Sequence, residues 1–210
     1  MKNKRIILAI SGKKGSGKDL FYEILNKKLI ERSHPVLVKL KFAEPLKQIC
    51  SVLTDLPLQY FYDHSYYGNT TSINNLTIRE LQQQIGTEVF RGFHNNIWIE
   101  CLKNKLANSY KDFNICITDL RFKDEFETLK NMSDENTTCI LVRINIDKMH
   151  SSDEQSKHIS ETDLDNIDIN RWDYVFYNDK KNISLLEKHC DQILYNYFNY
   201  VLEDCKNNKL

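Results

Sequence analysis

The stretch RIILAISGKKGSGKD, Arg5 to Asp19, constrains this 210-residue chain more than any other. Gly12, Gly15 and Gly17 punctuate a loop between an apolar, β-branched run, Arg5 to Ser11, and the segment KDLFYEILNKKLIERS, whose Leu20, Ile24, Leu25 and Leu29 recur at helical spacing. The order is strand, loop, helix. Glycines let successive backbone N–H groups turn into one concavity, and the helix that follows adds the positive end of its dipole. Gly12 to Lys18 meets the phosphate-loop pattern G-x-x-x-x-G-K-[ST], and only the final hydroxyl is replaced, by Asp19. Lys18 is thereby placed to reach the β- and γ-phosphates of a nucleotide. A glycine turn capped by surface lysines is the plain alternative. Asp19 has two readings of its own: a carboxylate that orders a Mg²⁺ shell, or an acidic residue favoured by the dipole in a first helical turn.

Further on, PVLVKLKF reads as a second strand, and PLKQICSVL starts a helix with Pro45 where its missing N–H costs least. Residues 54–75 are rich in Tyr, Asn, Ser and Asp without clear period, which predicts an irregular insertion or flexible flap. Thr77 with Glu80 makes a capping box for the helix IRELQQQIGTEVFRG, and Asn95 or Asn96 can cap another from about Trp98 through Leu106. NICIT, CILVRIN and DYVFY are buried-strand candidates, with KDEFETLKNM helical between the first two and an amphipathic helix beginning near Ile183. Helices alternating with continuously apolar strands predict a three-layer α/β/α fold around a parallel sheet. Ligands gather at the carboxyl ends of such strands.

Composition excludes several classes. Lys plus Arg equals Asp plus Glu at 29 each, so any anion site is local and nothing points to a nucleic-acid partner. With 28% charged and 41% hydrophobic residues the chain is ordinary for a globular protein, and no run approaches the roughly 20 apolar residues of a membrane span. The basic start MKNKRIILAIS resembles a secretory signal only superficially, because the glycine loop follows where a cleavage site would stand. Six cysteines without a C-x-x-C pair point to reduced thiols, and His189 beside Cys190 does not make a metal or nucleophile pair.

Four more constellations bear chemistry. In TIRELQQQIGTEVFR, Ile78, Leu81, Ile85 and Val89 share one helical side, while Arg79, Gln83, Gly86 with Thr87, and Phe90 or Arg91 run along another. Gly86 inside a helix costs about 1 kcal/mol against Ala. A close approach by ligand or backbone explains it, and a solvated face with an incidental glycine is the alternative. Trp98 is either core or a stacking platform for a base. ICITDLRFKDE delivers Asp119 at a strand's carboxyl end, where phosphate-loop enzymes hold a carboxylate near Mg²⁺. Arg121 suits a bidentate phosphate grip, with Glu125 one turn on to orient it. An Asp that caps the next helix beside a surface arginine is the competing view. Finally, IDKMHSSDEQSKHISETDLDN reads as a solvated connection or as a lid whose cations come from Arg143, Lys148 or Lys157, with His158 and Glu161 pairing at i, i+3.

Taken together, Gly12 to Asp19, FAEPLK (Phe42 to Lys47), Arg79 through Gln83 to GTEVFR, Trp98, ITDLRF with Glu125, and HISE resemble the deoxynucleoside monophosphate kinases of bacteriophages and large DNA viruses. The Asp after the loop lysine, rare among phosphate-loop proteins at large, is the most specific mark. The resemblance implies one kinase domain over 1–210, with an acceptor-binding insertion at about 43–110 and a lid at about 147–165. It implies phosphorylation of deoxynucleoside monophosphates by ATP with Mg²⁺, in a cytoplasm, the host's if the protein is viral. Lys13, Gly15, Ser16, Gly17, Lys18, Asp19 and Leu20 match the ATP loop, and Asp19 and Asp119 the metal carboxylates. Phe42, Lys47, Arg79, Gln83, Gly86, Thr87, Arg91, Trp98 and Glu125 match the acceptor side, Arg121 the catalytic arginine, and Arg143, Lys148, Lys157, His158 and Glu161 the lid. Expected partners are small nucleotides, not nucleic acid or membrane, and a homodimer stays open. A Thr commonly follows the Asp in that family, whereas Leu20 stands here. Two rivals remain at this point: the animal-type phosphomevalonate kinase, which shares a G-K-x-x-S-G-K-D loop, and a non-catalytic nucleotide sensor.

Overall fold

Six successive buried residues, Ile6 to Ser11, mark the first strand as the interior of a sheet covered on both faces. The computed structural model describes residues 4–146, 159–178 and 182–198. In chain order the elements are β1 (Arg5–Ser11), α1 (Lys18–Glu31), β2 (Leu37–Leu40), α2 (Glu44–Thr54), α3 (Ile78–Gln83) and α4 (Ile97–Asn108). There follow β3 (Asn114–Ile117), α5 (Lys123–Lys130), β4 (Thr137–Asn145), α6 (Ile159–Thr162), β5 (Tyr174–Tyr177) and α7 (Ile183–Tyr197). Two compact units divide the chain: Met1–Leu40 with Asp112–Leu210, and Lys41–Lys111.

The first unit carries the sheet, β2-β3-β1-β4-β5, with every neighbour parallel. The fold is therefore α/β, as the alternation of strands and helices predicts, and consistent with a phosphate-loop kinase. Leaving β1, the chain crosses to β2 on one side through α1. Leaving β3, it crosses to β4 on the other through α5. A common right-handed crossover puts those two helices on opposite faces. Ile6, Leu8 and Ile10 of β1 and Ile140, Val142 and Ile144 of β4 accordingly pack with Phe21, Leu25 and Leu29 of α1 and Leu186, Cys190, Ile193 and Leu194 of α7. Lys28 Nζ lies 2.6 Å from Asp191 and joins the two helices at the rim. Phe126 of α5 is fully buried and meets the Trp172 ring edge-on at 4.8 Å. Strand order reverses at β1 and β3, so their carboxyl ends open the crevice where such sheets take ligands.

In the second unit Thr77 and Glu80 form the expected capping box, with the Thr77 hydroxyl accepting from the Glu80 N–H at 3.2 Å. The helix then changes character: Gln84–Arg91 is π-helical. Bonding from i to i+5 widens each turn and rotates the side chains out of the 3.6-residue phase. Ile78 and Leu81 face inward as expected, but Val89 is 58% exposed while Gly86 and Arg91 are buried. Asn96 does precede α4, without a side-chain capping bond. Residues 55–75, after the end of α2, are irregular, with two 3-10 turns, Leu58–Phe61 and His64–Tyr66. The tyrosines there pack: Tyr60 and Tyr66 stack with centroids 4.1 Å apart, and Phe61 joins Cys50, Ile78 and Leu81 in a small core.

Among the described residues no helix is long and apolar enough to cross a membrane. Cys50, Cys101, Cys116, Cys139 and Cys190 are free thiols, and Cys205 lies outside the described residues. Burial pushes Cys50 and Cys139 up to about 11 and raises Cys116 and Cys190 as well. His189 is lowered by burial and stacks on Phe176 at 4.0 Å. Neither member of the His189–Cys190 pair is poised for nucleophilic chemistry.

Candidate active site

Where β1 ends, the backbone has room only for glycine. A Cβ on Gly12 would stand 2.4 Å from the Ile144 carbonyl oxygen, and one on Gly17 would lie 2.9 Å from Asn178 Nδ2 at a φ of 94°. Gly17 is the N-cap of α1 and no side chain caps that end, so the helix offers its first N–H groups to the loop. Asn178, 2% exposed just after β5, donates to the Ser16 carbonyl at 3.0 Å. Lys18 folds back over the loop, its Nζ donating to the carbonyls of Gly12 at 2.6 Å and Lys13 at 3.0 Å. Ser16 Oγ is buried without a hydrogen-bond partner. Uncapped N–H groups, a lysine and an orphaned hydroxyl around a cradle that no Cβ could enter are the donor set an oligophosphate needs.

Asp19 opens α1 and is gripped from the neighbouring strands. Lys39 Nζ of β2 lies 2.6 Å from its Oδ1, and the Thr118 hydroxyl donates to the same oxygen at 3.3 Å. Leu20 is 37% exposed, so the hydroxyl that touches Asp19 is Thr118's. Asp119, next in sequence, is 9% exposed, and the Leu120 N–H bonds the Ile10 carbonyl at 3.3 Å, seating this turn beside the end of β1. Phe122 rather than Asp119 takes the N-cap position of α5, which removes the capping role for Asp119. Glu125, 2% exposed, accepts the N–H groups of Arg121 at 3.0 Å and Phe122 at 3.1 Å, and so sets Arg121 through its backbone. Among the described residues no three His, Cys, Asp or Glu side chains make a metal cage. Mg²⁺ in phosphate-transfer sites is held by one or two carboxylates plus phosphate oxygens; Asp19, bonded by Thr118, and Asp119, next to Thr118, are the carboxylates that the turn after β3 brings to this side of the loop.

Arg143 belongs to β4, not to the loop after it. In register with Ser11, it donates from Nη1 to the Ser11 hydroxyl at 3.3 Å. Ser11, Gly12, Lys13, Leu120, Arg121, Arg143 and Leu164 line one pocket beside the phosphate loop. Of the other lid residues, Lys148, Lys157 and His158 lie outside the described residues, and Glu161 falls in α6 with its side chain outside them.

In the second unit the acceptor-side residues form their own group. Trp98 is 6% exposed; its indole N–H donates to the Gly86 carbonyl at 3.0 Å and its ring lies 5.3 Å from Phe90. That burial fits a core residue and not an open stacking platform. Gly86 is tight because a Cβ there would meet Leu46 Cδ2 at 2.6 Å. Arg91, 9% exposed, donates from Nη1 to the Asn95 carbonyl at 3.1 Å, and Arg79 Nε is buried without a partner. Gln83 and Thr87 are half-buried and Phe42 is buried. Lys47 Nζ sits 4.2 Å over the Tyr62 ring, and the Tyr62 hydroxyl donates to Glu44.

Compared with models of protein families, the chain matches deoxynucleotide monophosphate kinase over residues 52–189, more than half of its length. The chain belongs to that family. A search of curated proteins finds no match. Membership makes this deoxynucleotide monophosphate kinase family protein a phosphotransferase of the nucleotide monophosphate kinase type. The matched span contains Arg79, Gly86, Trp98, Asp119, Arg121 and Arg143 but starts after the glycine loop, whose chemistry rests on its own geometry.

Lys39, Thr118, Asp165 and Asn178 are contacts that motif reasoning passes over. Lys39 carried a signal, as a charge inside the apolar run LVKL of β2. Asn178 and Asp165 carried none, since each lies more than 140 residues beyond the loop it touches.

Proposed function

We propose that this kinase transfers the γ-phosphoryl group of ATP to deoxynucleoside 5′-monophosphates, giving the diphosphate and ADP for DNA synthesis. The observation that carries the reading is the glycine cradle at the amino end of α1, with Lys18, Arg121 and Arg143 around one crevice. The family match supports the acceptor class and disfavours phosphomevalonate.

An oxygen of the acceptor phosphate forms the new bond to the γ-phosphorus while the bond to the β–γ bridging oxygen breaks, and ADP leaves with that oxygen. With a second phosphate pKa of about 6, the attacking oxygen is already ionised near neutral pH and needs no general base. The chain's part is positioning and charge neutralisation. Loop N–H groups and Lys18 would hold the β- and γ-phosphates, and Ser16 Oγ would gain the partner it lacks. Arg121 would neutralise the equatorial oxygens, and Arg79 and Arg91 would receive the acceptor. Asp19 and Asp119 would hold Mg²⁺, which would supply charge neutralisation for the transferring phosphates.

The test is a coupled ADP-release assay with dAMP, dGMP, dCMP, dTMP, their ribo forms and phosphomevalonate. Release with one or more deoxynucleotides is expected, and silence with every nucleotide would overturn the reading. Arg121→Ala is expected to lower kcat/KM by about a hundredfold, the usual size for removing one donor from a developing anion. Unchanged turnover would remove Arg121 from the site.

A further inference from the structure

The anion on the cations of the crevice is the protein's own. Asp165 lies on a 3-10 turn, Asp163–Asn166, that reaches the mouth of the phosphate loop. Its Oδ2 lies 2.5 Å from Lys13 Nζ and its Oδ1 2.6 Å from Arg143 Nη2. One carboxylate thus takes one cation on each oxygen, as a phosphate would. The turn is pinned by the two residues just before Asp165: Asp163 Oδ2 accepts the Lys123 N–H at 2.7 Å, and Leu164, 4% exposed, lines the pocket with Arg121. Arg143 is held as well, by Ser11 and by its place 5.6 Å over the Trp172 ring, so it meets the carboxylate from a fixed position.

We propose that Asp165 is a positioning residue that competes with nucleotide phosphate for Lys13 and Arg143, weakening nucleotide binding and speeding product release. The proposal rests on the reading that the loop binds ATP and ADP. A phosphate entering beside Lys13 either displaces the carboxylate, breaking two ion pairs, or stays next to it and meets like charge. Both outcomes lower affinity. The Asp165 side chain is 38% exposed and that of Lys13 35%, so solvent screens the effect and makes Asp165 a tuning group, not a block.

The experiment measures ADP binding to wild type, Asp165→Asn and Asp165→Ala by calorimetry, with dissociation followed by stopped flow. Asn keeps the shape and removes the charge. ADP is expected to bind both variants about three- to tenfold tighter, the size that two partly exposed ion pairs would give, with slower dissociation. The gain should shrink as ionic strength rises, because screening weakens repulsion. A merely structural role would not raise affinity. Equal or weaker ADP binding in both variants, with clear binding by the wild type, overturns the proposal alone. No ADP binding by any of the three proteins overturns the reading of the loop and the proposal with it.

Discussion

Replacing Lys18 by Met is expected to lower kcat for phosphoryl transfer about a thousandfold, the upper end of what one preorganised charge on a transition state supplies. Methionine keeps the unbranched shape and most of the length of the side chain but carries no charge. The loss falls on the chemical step because charge on the transferring group shifts as the β–γ bond breaks, and Lys18 is the loop cation seated over the Gly12 and Lys13 carbonyls. ADP affinity falls too, by less, since the loop N–H groups remain. Steady-state kinetics beside calorimetry separate the two, and far-ultraviolet circular dichroism checks the fold. A kcat within tenfold of wild type would mean that Lys18 does not face the transferring group.

Phe21→Ala is expected to have the largest effect on stability, about 3–5 kcal/mol, from lost burial plus the cavity left behind. Phe21 is fully buried four residues into α1, with its ring 5.8 Å from Phe176, where helix and sheet meet under the loop. A domain is stable by about 5–15 kcal/mol, so much of the margin would go. At roughly 2–4 °C per kcal/mol for a chain of this size, the thermal midpoint should drop by about 6–20 °C. Circular dichroism melting checks this. A shift under about 2 °C would show that the site refills on its own.

The residues also show why some of this was legible in sequence. The strand–loop–helix at the amino terminus was, because apolar run, glycines and helical spacing are all local. The capping box of α3 was too, because Thr77 and Glu80 are three residues apart. The π-helix was not. Apolar spacing assumes 3.6 residues per turn, so it put Val89 inward, and it could not foresee that Gly86 would give its carbonyl to Trp98. The crevice was half legible: Lys18, Asp119 and Arg121 sit in recognisable motifs. Arg143, read as a lid residue, is placed by the pairing of β1 with β4, and Asp165 meets both it and Lys13 from a turn far along the chain. Trp98, assigned to the acceptor side by the resemblance, is buried at 6% exposure, as a core residue is.

The Lys18 clasp and the Asn178 wedge have an entropic consequence. A glycine-rich segment is the most freely moving backbone a chain can have, and closing it around a ligand would cost much of that freedom at the moment of binding. Here Lys18 ties two loop carbonyls, and Asn178 ties a third from the far end of the sheet. That ordering is done when the protein folds, so a phosphate arriving there would meet a loop whose turns are already tied. Loosening that wedge, at a residue remote in sequence, should weaken nucleotide capture without touching any group that meets the nucleotide.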